Sequence, residues 1–260
     1  MFEHSYFMIK VRFLGTGTSH GIPIIGNDHP VCKSNNPKDK RLRSSVLVIW
    51  DNYNFVIDCG PDFRMQMLEA NCKKIDAILY THEHSDHVAG LDDIRPFFFK
   101  QGKIPIYAHK RVLGALKKRF YYIFDKNYSY PGSPKVFQNI VTSKFNISDK
   151  IIIPINAMHK DLQVYGYRFE NFAYLTDVKT IDNKEVDKLS GLDVLIINAL
   201  RIEEHYSHFN LDQALEFIST VNPKKAYLTH ISHMLGFHDE VEKILPDNVY
   251  LAYDGLEITI

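Results

Sequence analysis

Only three cysteines occur in 260 residues, Cys32, Cys59 and Cys72, too few and too scattered for a disulfide framework. Neither sign of charge is in excess. Lys plus Arg number 31 and Asp plus Glu 31, so no global basic field exists to gather nucleic acid non-specifically, although a local basic patch is compatible with that balance. Long apolar runs are missing as well, and none approaches the roughly 20 residues of a membrane span. The opening stretch MFEHSYFMIK is broken by charges and a histidine before any apolar core develops, which is not the layout of a signal peptide. Met8 is an alternative start, because the first strand pattern begins at Ile9. From these absences we expect a cytoplasmic protein with no membrane partner.

What remains is the composition of an ordinary globular chain, 45% hydrophobic and 24% charged, which argues against wholesale disorder. There is no internal repeat and no low-complexity tract. Strand-like runs recur throughout: IKVRFLG, SVLVIW, NFVID, DAILYT, IPIYA, KIIIPINAM, FAYLTD, DVLIIN, KAYLTH and GLEITI. Helix-like segments lie between them, near 63–72, 87–98, 110–122, 183–190, 211–221 and 239–245. Strands interleaved with helices predict sheets covered by helices in one domain over residues 1–260.

The stretch THEHSDHVAGLDD, Thr81 to Asp93, packs three histidines and four carboxylates into thirteen residues directly behind the apolar run AILY. Such crowding is costly to desolvate unless something binds the groups. Several other buried runs also end in a ligand-type side chain: FAYLTD in Asp177, KAYLTH in His230, and KIIIPINAMH in His159. Groups at the carboxyl ends of strands converge on one sheet edge, where ligands bind. Within THEHSDH, alternate residues of an extended segment point the same way, so His82 and His84 are placed to chelate one ion. A helix starting near Asp86 turns Asp86 and His87 toward a second. Hydrolytic metal pairs sit about 3.5–4 Å apart, and a carboxylate is the usual bridge. Asp177 is the candidate bridge, with His159 completing the first ion and His230 the second. Nitrogen and oxygen donors without sulfur suit Zn²⁺, Mn²⁺ or Fe²⁺.

These residues, together with FLGTGTSHGIP, IDCGPDFR, HSDHVAGLDDIRPF, LTHISH and AYDGLEI, resemble the metallo-β-lactamase-fold hydrolases almost end to end. Among them they look most like the phosphoribosyl cyclic phosphate phosphodiesterase branch of phosphonate metabolism. The resemblance implies an α+β fold, a four-layer αββα sandwich of the metallo-β-lactamase or ribonuclease Z type, with a dinuclear centre on its edge and a homodimer. It implies a small cyclic or linear phosphodiester as substrate. It also points to His208, in YSHFNLDQ, as general acid, with His205 the nearby competitor; Asp86 is the other catalytic candidate. Branch members hold a third, structural zinc in a C-x-C-x-x-C loop. The matching stretch GNDHPVC offers Asn27, His29 and Cys32, so only His29, Cys32 and His233 are candidate ligands there.

Asp58, in FVIDCG, is expected to orient a ligand histidine, with Thr81 and Asn198 in support. Asp92, Asp93 and Arg95 read as an internal ion pair. GTGTSHG lacks a following lysine and is opposed by Pro23 and Pro30, so it reads as a turn bordering the site, with His20 near substrate. The basic and aromatic stretch Lys117–Gly132 is expected to roof the pocket or pack on a partner subunit. His238 is expected to flank a helix. The competing activities are a ribonuclease Z acting on transfer-RNA precursors, a thioester or β-lactam hydrolase, and a non-catalytic relative of the kind found in pyrroloquinoline quinone biosynthesis.

Overall fold

The computed structural model describes residues 8–260. Most of the opening stretch read for a leader, residues 1–7, lies outside the described residues.

In chain order the strands are β1 (Ile9–Gly15), β2 (Ser45–Trp50), β3 (Tyr53–Ile57), β4 (Ala77–Leu79), β5 (Ile104–Ala108), β6 (Val136–Ile140), β7 (Phe145–Ile147), β8 (Lys150–His159), β9 (Leu162–Phe169), β10 (Phe172–Tyr174), β11 (Thr180–Ile181), β12 (Val194–Asn198), β13 (Lys225–Thr229), β14 (Val249–Leu251) and β15 (Glu257–Thr259). They form a seven-stranded sheet, β15-β1-β2-β3-β4-β5-β6, and an eight-stranded one, β11-β8-β9-β10-β12-β13-β14 with β7 paired to β8. Both sheets are mixed. From β3 to β6, and from β10 through β12 and β13 to β14, the pairing is parallel.

Alternation of side chains places the layers. In β2, Val46 and Val48 face the opposite sheet while Leu47 faces helices; in β12, Val194 and Ile196 face inward while Leu195 and Ile197 face out. Three buried clusters result. One lies between the sheets and holds Phe55, Ile57, Tyr167, Phe169 and Phe172. A second joins the first sheet to helices Phe63–Glu69 and Lys110–Arg119 through Val56, Ile78, Phe63, Met67 and Leu116. The third joins the second sheet to helix Leu211–Val221 through Leu195, Leu228, Ala214 and Ile218. Three interfaces make four layers, helix–sheet–sheet–helix, as expected.

Some elements differ from expectation. The segment expected as one helix near 87–98 is three short pieces: Ser85–Val88, a 3-10 turn at Leu91–Ile94, and Arg95–Gln101. Pro96 has no N–H to continue a helix and so sits in the first turn of the last piece. At Gly90 a Cβ would lie 2.1 Å from the carbonyl oxygen of Gly60, so the chain there packs backbone on backbone. Strand β9 (LQVYGYRF) is not evident from pattern, because Gly166 interrupts it. A Cβ at Gly166 would lie 2.7 Å from the Leu175 side chain. Helix Leu211–Val221 matches its expected span. Asn210 caps it, accepting from Gln213 N while the Gln213 side chain returns to the Asn210 N–H, and Asn222 closes it with φ 51°.

Candidate metal centre

Parallel pairing aligns the carboxyl ends of β3 and β4 in one sheet and those of β10, β12 and β13 in the other, and the two sets meet where Asp177 touches His87. β8 joins the second set because two antiparallel steps, through β9, make it parallel to β10. Asp58 follows β3, Thr81 and His82 follow β4, His159 ends β8, Asp177 follows β10, Asn198 ends β12 and His230 follows β13. Three of these, Asp58, Asp177 and His230, sit in the left-handed region with φ of 64°, 60° and 55°. Non-glycine residues held there carry strain of about 1–3 kcal/mol each, and such strain concentrates at functional sites.

The structure brings all seven expected ligands together. His82 Nε2 is 3.0 Å from His84 Nδ1. The rings of His84 and His159 are 5.2 Å apart, those of His82 and His87 4.2 Å, and those of His87 and His230 5.8 Å. Asp177 occupies the middle. Its Oδ2 lies 3.2 Å from His87 Nε2 and 3.3 Å from His230 Nδ1, and its Oδ1 lies 3.0 Å from His208 Nε2. Asp86 Oδ2 is 3.2 Å from His87 Nε2. Two groups of ligand atoms are close enough to hold an ion, His82 with His87 and Asp177, and His159 with Asp177 and His208. The expected division between two ions differs from these groups: His82 and His87, expected on different ions, fall together, His84, Asp86 and His230 lie outside both groups, and the second group contains His208, which the resemblance suggests as an acid rather than a ligand. His82, His87, Asp177 and His230 are buried, whereas His84 opens to solvent.

Electrostatics bear on whether a cation fits. His87 Nδ1 is 2.6 Å from Asp58 Oδ2, so it donates there and leaves Nε2 as a lone pair. That Nε2 is buried, makes no hydrogen bond, and faces oxygens of both Asp86 and Asp177. A lone pair aimed at two carboxylates is repulsive unless a proton or a metal ion lies between them. Burial disfavours charging His87, but Asp86, Asp177 and Asp58 outweigh it and raise its proton affinity well above that of a free imidazole. The same field attracts a divalent cation. His159 Nδ1 is a second buried ring nitrogen without a partner. The donor set therefore fits metal.

Supporting contacts explain why the loop holds its shape. Asp58 accepts from Thr81 N (2.8 Å) and from Thr81 Oγ1 (2.8 Å), and that hydroxyl lies 2.9 Å from His82 Nδ1. Burial pushes the Asp58 acid upward, opposed by His87 and Thr81. Asn198 grips Val178 through both its amide atoms, 2.7 Å from the N–H and 3.0 Å from the carbonyl, and so fixes the turn after Asp177. Gly60 lies against the ligand loop, where a Cβ would sit 2.1 Å from the Asp86 carbonyl oxygen. Thr18, in GTGTSHG, places its hydroxyl 3.2 Å from His230 Nε2. Sequence reasoning assigns that turn to the border of the site but does not single out Thr18; its backbone pairing with Ile231 is the reason it reaches His230. Glu83, inside the motif, instead pairs with Arg111 at 2.8 Å.

A cavity of about 450 Å³ opens over the cluster, lined by His84, Asp86, His159, Asp177, His208 and His230, with Arg201, His205, Tyr206 and His20 around them. His208 is held there by its backbone neighbours: Phe209 N donates to Val178 O at 2.8 Å and Leu200 N to Phe209 O at 3.0 Å. The third-zinc candidates do not close. The rings of His29 and His233 stand 4.8 Å apart, but buried Cys32 packs with Ile22 and Val31. Among the described residues, His29, Cys32 and His233 do not form a group of ligand atoms within 4.8 Å of one another. Lys117–Gly132 does not line the cavity; Tyr122 and Tyr130 hydrogen-bond Asp92 and Arg95, and Arg95 pairs with Asp92 at 2.6 Å as expected. His238 opens helix His238–Val241 and lies 3.2 Å from Arg41 Nη2.

This fold has known counterparts. A family model described as Beta-lactamase superfamily domain matches residues 53–231. The chain belongs to the metallo-β-lactamase-fold hydrolases. A solved structure described as a new diphosphatase from the PhnP family superposes with a TM-score of 0.90 at 40% identity, covering 96% of this chain and 97% of that one. A Porphyromonas gingivalis protein called octanoyltransferase is 40% identical over 97% of this chain, but the chain spans only 52% of that protein's length. A ribonuclease Z from Bacillus licheniformis is 24% identical over 96% of this chain and 98% of its own. The fold of this family implies divalent metal ions, and the clustered histidines and aspartates are able to hold them. Among the described residues no helix is long and apolar enough to cross a membrane.

Proposed function

We propose that this metallo-β-lactamase-fold hydrolase carries two divalent ions and cleaves a phosphoric ester at phosphorus, with a small cyclic or linear phosphodiester as substrate. A phosphoribosyl cyclic phosphate is one such diester. The diphosphatase description of the 40% identical structure extends the same chemistry to a P–O–P link. The observation that carries the reading is the central placement of Asp177, which touches His87, His230 and His208 at once inside one cavity. Zn²⁺ or Mn²⁺ bound there would acidify a water and neutralise phosphoryl charge. The chain's own part is to hold that charge in place. Asp177 and Asp86 supply anionic oxygens to the centre of the cluster. Asp58 keeps the His87 proton on Nδ1, so that Nε2 is free to bind. His208 presents Nε2 into the cavity, where it would protonate the departing oxygen. His20, Arg201 and Tyr206 line the same cavity and would meet the rest of a small anionic substrate.

Metal quantification followed by a substrate panel on one sample tests this. The panel holds a cyclic ribose phosphate, an aryl phosphodiester, a nucleoside diphosphate, precursor transfer RNA, a glutathione thioester and a β-lactam. Cleavage at phosphorus of a small ester is the expected result. Turnover of only the thioester or β-lactam would reject it, and turnover of only transfer RNA would favour the ribonuclease Z-like alternative that several relatives' names suggest. Replacing His208 by Ala should lower turnover about a hundredfold or more with metal content unchanged.

A further inference from the structure

His208 does not stand alone behind the cavity. Its Nε2 faces Asp177 Oδ1 at 3.0 Å, and its Nδ1 lies 3.1 Å from Nδ1 of His205. Two ring nitrogens at that distance need one proton between them. The backbone N–H of Ser207 donates to His205 Nδ1 at 3.3 Å, which marks that nitrogen as a lone pair. The shared proton therefore belongs to His208. The Ser207 hydroxyl, 3.2 Å from His205 Nδ1 and 3.1 Å from His208 Nδ1, closes a small ring of contacts around the same pair. We infer that His205 is a positioning residue for the proposed hydrolysis, whose Nδ1 accepts the Nδ1–H of His208 and so keeps the His208 Nε2–H directed into the cavity.

The consequence is a division of labour between two histidines that sequence reasoning treats as competitors. When the P–O bond breaks, its electron pair stays on the leaving oxygen. That oxygen takes the proton from His208 Nε2, and His208 is left neutral with its remaining proton on Nδ1, still bonded to His205. No proton leaves His205 in this step. His205 acts as an acceptor because the Ser207 N–H already donates to its Nδ1. The inference rests on the general-acid reading of His208, and the experiment separates the two.

Three variants are compared on two substrates, a cyclic ribose phosphate whose leaving group is an alkoxide and bis(p-nitrophenyl) phosphate whose leaving group needs no proton. His205→Leu removes the acceptor and should lower kcat on the alkoxide substrate about 10–100-fold, with less than about a threefold change on the aryl substrate. His205→Asn places an amide oxygen where Nδ1 stood and should restore most of the loss. ¹⁵N imidazole spectra of the metal-free chain should show His208 protonated on Nδ1 and His205 carrying its proton on Nε2. Equal losses on both substrates, an Asn variant no better than Leu, or a His205 proton on Nδ1 would each overturn the inference. Unchanged turnover in His208→Ala would reject the general acid itself, a result visible without any variant at His205.

Discussion

Asp58→Asn changes one atom in a fully buried side chain and should weaken the candidate metal centre without replacing an expected ligand. Asp58 Oδ1 accepts from Thr81 N, and Oδ2 accepts from both Thr81 Oγ1 and His87 Nδ1, the last at 2.6 Å. An asparagine has one acceptor oxygen and one NH₂. The Thr81 amide always donates, so the oxygen of Asp58→Asn stays with it and the NH₂ takes the position opposite His87. His87 then accepts on Nδ1 and carries its proton on Nε2, the nitrogen that would bind metal. Loss of such a carboxylate partner weakens metal affinity about 10–100-fold, equivalent to about 1.4–2.7 kcal/mol. The flipped amide is no escape, because its NH₂ would face the Thr81 N–H, and an unsatisfied buried donor costs about 1–3 kcal/mol of stability. Competition against a chromophoric zinc chelator, paired with urea unfolding of the metal-free chain, measures both quantities. Zinc affinity within about threefold of wild type and an unchanged urea midpoint would refute this account of Asp58.

Two further perturbations follow. Asp254 is buried, accepts from Thr16 Oγ1 at 2.7 Å and Leu42 N at 2.6 Å, and burial, opposed by these bonds and Arg41, pushes its acid up to about 6. An unfolded aspartate titrates near ~3.9, so between the two values the folded chain holds a proton that the unfolded chain has released. Stability from this group is then complete below about pH 4 and is lost as pH rises through about 6. Relative to Asp254→Asn, the metal-free wild type should lose about 2–3 kcal/mol between pH 4 and 7, read from urea midpoints; a constant difference across that range would count against it. Gly60→Ala puts a methyl 2.1 Å from the Asp86 carbonyl, which displaces the ligand loop. It should destabilise the fold by about 1–3 kcal/mol and weaken metal binding, and a variant with wild-type Tm and metal content would contradict the packing described.

Much of the centre is legible in the sequence, because a metal site needs particular side chains and a strand end is a local signal. His82, His84, Asp86 and His87 fall within six residues, and the apolar runs that end just before Asp177 and His230 mark both as strand-end positions. Helix Leu211–Val221 is readable too, since its cap chemistry is written in Asn210 and Gln213. What the chain alone could not decide are relations between segments far apart in sequence. The lone pair of His87 is set by Asp58, 29 residues away, and the hydroxyl beside His230 comes from Thr18, 212 residues away. Gly60, Gly90 and Gly166 look like interruptions in the pattern, yet each marks a close approach to another part of the chain. The same holds for Cys32: its spacing suggests a ligand, and only the fold turns its thiol into an apolar cluster. Residue type and period are local properties of a chain, whereas hydrogen-bond direction and steric clearance belong to pairs, and pairs exist only after folding.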